Sequence, residues 1–333
     1  MARFALYGDD SAFLGEYGFV LHESDRFAES RALSERALAL YPRNATASHN
    51  VSHVFYETND HESGIAFLDS WMPDFPTNAQ AYGHLSWHHA LFALASGQIG
   101  RLWDTYERSL QPPTMPSPTK LPDTASLLWR LHLYGAVDAP LPWQPVRDLA
   151  ARLVAKPGRT FFDVHAALAY AGAGDDAAMG ALIEGLQQLA ADGNLLAGNV
   201  SLPLVRGVAA FKRGNYDETI REIAPVASEI VRIGGSNAQR EVFEDTLLQA
   251  YLRAGRYADA EALLRTRLGR RESARDYLWL GETQLAGGQR EAAQVSLRDA
   301  AVRWQDADAD APEVMRLTRM RQSASGTSRA DAL

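Results

Sequence analysis

The 333-residue sequence contains no cysteine. Disulfides, thiolate metal ligands and cysteine nucleophiles are all excluded by that absence. It also lacks any run of about 18 apolar residues, so no membrane-spanning helix is expected. The stretch from Met1 to Asp10 turns acidic before an apolar run long enough for a secretory signal, which predicts a cytoplasmic protein. Basic excess is missing as well: Lys and Arg total 33 against 41 Asp and Glu, a formal net charge of −8. Nucleic acid is therefore not an expected partner, since nonspecific binding to a polyanion needs a basic surface. There is no strand-like alternation of weight, no His-Glu-x-x-His run and no Walker loop.

What is present is helical and periodic. The composition, 46% hydrophobic and 22% charged, is ordinary for a folded protein. Tyr41-Pro42-Arg43-Asn44 and Phe75-Pro76-Thr77-Asn78 place their prolines 34 positions apart. That is the length of one tetratricopeptide unit, a pair of antiparallel helices. The clearest unit runs from about Gln239 to Arg270. Phe243, Leu247, Leu248 and Tyr251 mark its first helix, Ala254-Gly255-Arg256 its turn, and Tyr257, Ala260, Leu263 and Leu264 its second. Similar units start near Ser11, Asn44, Asn78, Asp123, Thr160, Gly198 and Tyr277. The expected fold is an all-α, tetratricopeptide-like helical repeat solenoid of about eight helix pairs, one domain over 1–304. Proline-rich connections are expected near 111–122 and 137–145. An acidic, then Ser/Arg-rich tail is expected over 305–333, its last part disordered.

Four of the nine histidines form a lattice. His49 and His53 are four apart on one predicted first helix, as are His84 and His88 on the next. The steps from His49 to His84 and from His53 to His88 are both 35 residues, one period. Residues four apart share a helix face, and residues one period apart sit on neighbouring parallel helices. Four imidazoles should therefore meet in one patch on the concave side. Three readings are open: buried polar residues hydrogen-bonded to neighbours, a ligand or peptide site, or a metal or acid–base site. Glu57 extends the stripe and reads as a solvated charge. Asp163 and His165 lie on a later first helix, where a structural hydrogen-bonding role is the simplest reading. Gly234-Gly235-Ser236-Asn237 opens a helix ending its first turn near Gln239, good N-cap chemistry that also leaves free amides for a ligand. Arg265, Arg267, Arg270, Arg271 and Arg275 read as a solvated helix end.

Several of these segments resemble the family of human tetratricopeptide repeat protein 38 and its bacterial relatives. The resemblance rests on Ser48-His49-Asn50-Val51-Ser52-His53-Val54, His84-Leu85-Ser86-Trp87-His88-His89-Ala90-Leu91 and Asp163-Val164-His165. It rests most specifically on Ile230 to Phe243. It covers nearly the whole chain, which looks shorter at the N-terminus than long members. It implies a helical repeat fold with no established reaction, and a site drawn from His49, His53, His84, His88, Asp163, His165, Gly234, Gly235, Ser236 and Gln239. The chain departs from the family at Tyr56, where relatives usually have glutamate, and at His89, where they often have tryptophan.

The function expected is a binding protein that holds a peptide or small ligand in its concave groove, near the histidines. The ligand-binding candidates are His49, His53, His84, His88, Asp163, His165, Ser236, Asn237 and Gln239. The alternative is an enzyme acting on a small metabolite with His/Asp acid–base or metal chemistry. No cofactor and no metal is assigned. Partners are a protein segment or a small molecule, with a homodimer as an option.

Overall fold

The computed structural model describes residues 7–112, 117 and 119–325. Among the described residues there are seventeen α-helices and no strand. The first three pairs are α1 (Ser11–His22) with α2 (Phe27–Leu40), α3 (Ala45–Glu57) with α4 (His61–Trp71), and α5 (Gln80–Ala95) with α6 (Ile99–Thr105). The next three are α7 (Lys120–Tyr134) with α8 (Trp143–Leu153), α9 (Thr160–Ala173) with α10 (Asp176–Ala191), and α11 (Leu202–Lys212) with α12 (Tyr216–Ile223). The last two are α13 (Asn237–Arg253) with α14 (Tyr257–Arg270) and α15 (Ala274–Ala286) with α16 (Arg290–Arg303), followed by α17 (Pro312–Ser325). The eight helix pairs match the sequence period.

Local chemistry sets the boundaries. Asn44, Asp60, Asp175, Asn215 and Ser273 each accept a hydrogen bond from a first-turn amide of the helix that follows. Pro122 and Pro145 stand in the first turns of α7 and α8, where a missing N–H costs nothing. The two proline-rich connections thus end inside helices rather than before them; residues 113–116 and 118 of the first lie outside the described residues. Gly255 adopts φ 71°, as its place in the α13–α14 turn requires. Close approach within pairs uses small residues: a Cβ on Gly281 of α15 would lie 2.6 Å from Leu297 of α16.

The segment from 305 does not begin a tail. Pro312 opens α17, and its Leu317, with Ala324, is buried against Ala274, Leu278, Leu297 and Trp304. Val314, Leu317 and Met320 recur at helical spacing, enough apolar surface to dock one more helix. Glu313 also pairs with Arg275 at 2.8 Å. Residues 326–333, where disorder is expected, lie outside the described residues.

The pairs wind tightly enough for the C-terminal pairs to fold back onto the third and fourth. α13 packs on α7: Trp129 donates to Thr246 Oγ1 at 3.0 Å, Tyr134 to Asp245 at 2.7 Å, and Arg130 to the Ala238 carbonyl at 2.6 Å. Arg275 of α15 donates to the Leu94 carbonyl at 2.8 Å, and Trp304 to the Ala95 carbonyl at 2.8 Å. Trp87, Trp129 and Trp279 are fully buried in the resulting interior. The inner faces of α5 and α7, which an open solenoid would turn to solvent, are therefore partly covered by the chain itself.

Candidate functional site

α3 and α5 run side by side, so the period-spaced histidines meet as their spacing predicts. Ring nitrogens of His49, His53, His84 and His88 all lie within 4.8 Å of one another. His49 Nε2 is 2.9 Å from His53 Nε2 and 3.0 Å from His84 Nε2. The His53 and His88 rings meet edge to face with centroids 4.4 Å apart. His53 and His88 are fully buried, and His84 retains 14% side-chain exposure. Burial pushes His49, His53 and His88 well below the ordinary histidine range, and the neighbouring imidazoles push the same way. The three are neutral at pH 7, with lone pairs available.

A buried carboxylate orients one of them. His84 Nδ1 lies 2.7 Å from Asp123 Oδ2, which makes Nδ1 the donor and turns Nε2 towards His49. Asp123 is itself held by the Thr119 hydroxyl and by Gln239 Nε2, the latter at 3.1 Å. A fifth imidazole adjoins the group: His22 of α1 lies against His53, ring centroids 4.8 Å apart. Neither His22 nor Asp123 was among the sequence candidates. Asp123 had a legible signal. Thr119 and Asp123 continue the lattice by the same 35-residue step, from His84 and His88 respectively. His22 follows no such step.

The other candidates divide. Gln239 joins the cluster through Asp123. It also completes a capping box with Ser236, whose side chain accepts from the Gln239 amide while the Gln239 side chain accepts from the Ser236 amide. Asn237 donates to Glu57 at 2.9 Å. His165 packs edge-on against Phe243, its Nδ1 donating to the Phe161 carbonyl at 2.6 Å. Burial lowers His165 to about 4, opposed by the Phe161 and Gln239 main chains and the Asp123 carboxylate. Asp163 does not join them: its Oδ2 accepts from the Gly158 amide at 2.9 Å and braces the loop before α9. His89 faces away and pairs with Asp69 at 2.9 Å.

Two sequence readings of charge are corrected. Glu57 is not solvated; it is 7% exposed and holds Asn237. Arg267, Arg271 and Arg275 are not a solvated helix end, because closure of the solenoid buries them. Arg267 lies between Asp245 at 2.8 Å and Asp276 at 3.0 Å, and Arg271 is 2.6 Å from Glu241. Tyr56 donates its hydroxyl to Glu241 of α13.

Next to the histidines a cleft of about 490 Å³ is lined by His22, Glu23, Glu57, Asn237, Arg240 and Arg270, among others. His22 Nδ1 faces Glu23 at 3.1 Å, while its buried Nε2 has no hydrogen-bond partner among the described residues.

The fold and site thus define an all-α helical repeat solenoid that encloses a polar cluster. No known family profile matches the chain. Among solved structures it is similar to a tetratricopeptide repeat protein from Parabacteroides merdae, with 14% identity over 94% of this chain and 98% of that one and a TM-score of 0.37. It is also similar to the TPR domain of P58(IPK), with 11% identity over 96% of this chain and 100% of that one and a TM-score of 0.29.

Proposed function

We propose that the protein binds a small polar molecule in the cleft beside the histidine cluster. The observation that carries this reading is the cleft itself, which His22, Glu23, Glu57, Asn237 and Arg240 line with polar and charged groups and which adjoins the cluster through the His22 ring packed on His53. The Glu23 and Glu57 carboxylates offer acceptors to a ligand hydroxyl or amine. Arg240 offers the cleft a cation for an acidic group on the same molecule. A cleft of about 490 Å³ suits a metabolite rather than a folded partner. Kinship with the tetratricopeptide repeat protein 38 family belongs to this proposal, since the histidines and Gln239 that carry the resemblance border the same site.

Thermal-shift screening of the full chain against polar metabolites tests the reading. A ligand at a hundred times its Kd stabilises the folded state by about 2.7 kcal/mol, and Arg240→Ala or His22→Leu should abolish that gain. Hits that stabilise both variants as well as the parent would sink the proposal.

A second reading is favoured by one specific contact. The Asp123–His84 pair has the form of a histidine oriented for proton transfer, as an enzyme acting on a small metabolite requires. Turnover of a bound hit, lost in Asp123→Asn with the protein still folded, would move the assignment from binding to catalysis.

A further inference from the structure

The sequence alone assigned no metal to the histidines, but the arrangement of their nitrogens points to one. We infer that His49, His53, His84 and His88 form a four-imidazole site for a divalent transition-metal ion of the zinc type. The site lies behind the cleft described above and would serve the same ligand.

The first argument is the count of protons. A neutral imidazole Nε2 carries either one hydrogen or one lone pair. His49 Nε2 touches both His84 Nε2, at 3.0 Å, and His53 Nε2, at 2.9 Å. If His49 Nε2 carries a hydrogen, that one hydrogen must serve two acceptors. If it carries a lone pair, that one lone pair must serve two donors. Neither state makes two full hydrogen bonds, whereas a cation among the nitrogens satisfies all of them at once.

The second argument is unpartnered polarity. His88 is fully buried with neither ring nitrogen bonded among the described residues, and His53 Nδ1 is in the same condition. Leaving such groups unbonded forfeits the hydrogen bonds they make with water in the unfolded chain. A coordination bond gives the His88 ring, which otherwise has none, a partner.

Dimensions agree. Zinc–nitrogen bonds of about 2.0–2.1 Å in a tetrahedron place the nitrogens about 3.3 Å apart. The observed separations bracket that figure, from 2.9 Å to no more than 4.8 Å. The surroundings agree as well. A metal-bound imidazole ordinarily donates its second N–H to a carboxylate that is itself held by further hydrogen bonds. His84 does so to Asp123, which Thr119 and Gln239 hold in turn. Neutral nitrogen ligands without thiolate or carboxylate suit zinc, nickel, copper or cobalt over magnesium or calcium.

The test uses the untagged full chain, stripped with a chelator and dialysed. Zinc is then titrated calorimetrically, and cobalt(II) is added with visible absorption as the readout. The expected result is one equivalent of zinc per chain and a tetrahedral cobalt spectrum bleached by zinc. His53→Ala and His88→Ala should each weaken uptake by at least about 100-fold. Asp123→Asn should weaken it by about 10–100-fold, and His89→Ala should leave it unchanged. If circular dichroism shows that the alanine variants do not fold, Asp123→Asn and the parent cobalt spectrum decide. No uptake by the parent, an octahedral cobalt spectrum, or uptake equal in parent and Asp123→Asn would overturn the inference. Uptake is read without any cleft ligand, and Arg240→Ala should retain it. Failure of the cleft proposal and failure of the metal site therefore give different results.

Discussion

Substituting Glu241→Gln removes one negative charge from the point where the solenoid folds back on itself. Glu241 is 3% exposed. Arg271 Nη2 reaches its two oxygens at 2.6 and 2.7 Å, Arg270 lies at 3.2 Å and Arg267 at 3.6 Å. The Tyr56 hydroxyl, 185 residues away in sequence, donates to it as well. Glutamine keeps the shape but sets an amide N–H₂ where these donors converge, and leaves Arg271 and Arg267 with less compensation. Removing one partner of a buried ion pair costs about 3–5 kcal/mol. Arg271→Met should cost a similar amount, and the double variant should cost less than the sum, by at least about 1 kcal/mol. Urea unfolding at pH 7, followed by circular dichroism, measures all three.

The same substitution has a signature in pH. The three arginines hold the Glu241 carboxyl well below the usual carboxylate range, against the opposing effect of burial. Between that depressed value and the unfolded value of about 4.3, the unfolded chain binds a proton that the folded chain refuses. Glu241 thus contributes stability that is present above about pH 4.3 and is lost as pH falls. Glu241→Gln should flatten the acid limb there by up to about 1.4 kcal/mol per pH unit. A loss of under about 1 kcal/mol at pH 7, together with an unchanged acid limb, would refute the view that this network ties the C-terminal pairs back onto the earlier ones.

Other predictions can be read from the same titrations. Burial lowers His61 to about 3 and His165 to about 4, so below pH 6.5 the unfolded chain takes up protons that the folded chain excludes. Stability should be full above pH 6.5 and fall by up to about 1.4 kcal/mol per unit for each group as pH drops towards 4, a slope that His61→Asn should reduce. Gly64→Ala places a Cβ 2.6 Å from the buried Phe92 ring and should cost about 1–3 kcal/mol in urea unfolding. Ser236→Ala removes the cap of α13 and should cost about 1 kcal/mol. Gln239→Leu also strips a bond from buried Asp123 and should cost about 1–3 kcal/mol more than the cap alone.

The helix pairs were legible because each is a local pattern: apolar spacing, a turn glycine and a capping side chain within about 34 residues. The histidine cluster was legible for a related reason, since a step of one period joins neighbouring helices. Thr119 and Asp123 obey that step and could have been found by extending it. Glu57, Arg267 and Arg271 could not. Their burial depends on the small rotation added at every repeat, which accumulates over three units between α7 and α13 and over five between α5 and α15 until they meet. No local window contains that sum, so charges that look solvated along the chain end in the interior.

Closure leaves two buried polar groups in one interior, and their contrast bears on function. In the charged group, Arg130, Arg267, Arg271, Glu241, Asp245 and Asp276 each have an opposite charge within 3.5 Å. Ion pairing compensates every one of these charges, although Arg130 Nη1, Arg267 Nη1, Arg271 Nη1, Asp245 Oδ1 and Asp276 Oδ1 lack a hydrogen-bond partner of their own among the described residues. The imidazole group has no counter-charge except Asp123 on His84. His88 has both nitrogens unbonded among the described residues, His53 and His22 have one each, and His49 faces contacts that one proton cannot satisfy. A sequence able to pair six buried charges could have placed leucine at these histidine positions and gained stability. Local violations of this kind concentrate where a fold gives up stability for a site. The unpaired lone pairs of α3 and α5, rather than the paired charges of α7, α13, α14 and α15, are therefore where binding should be sought.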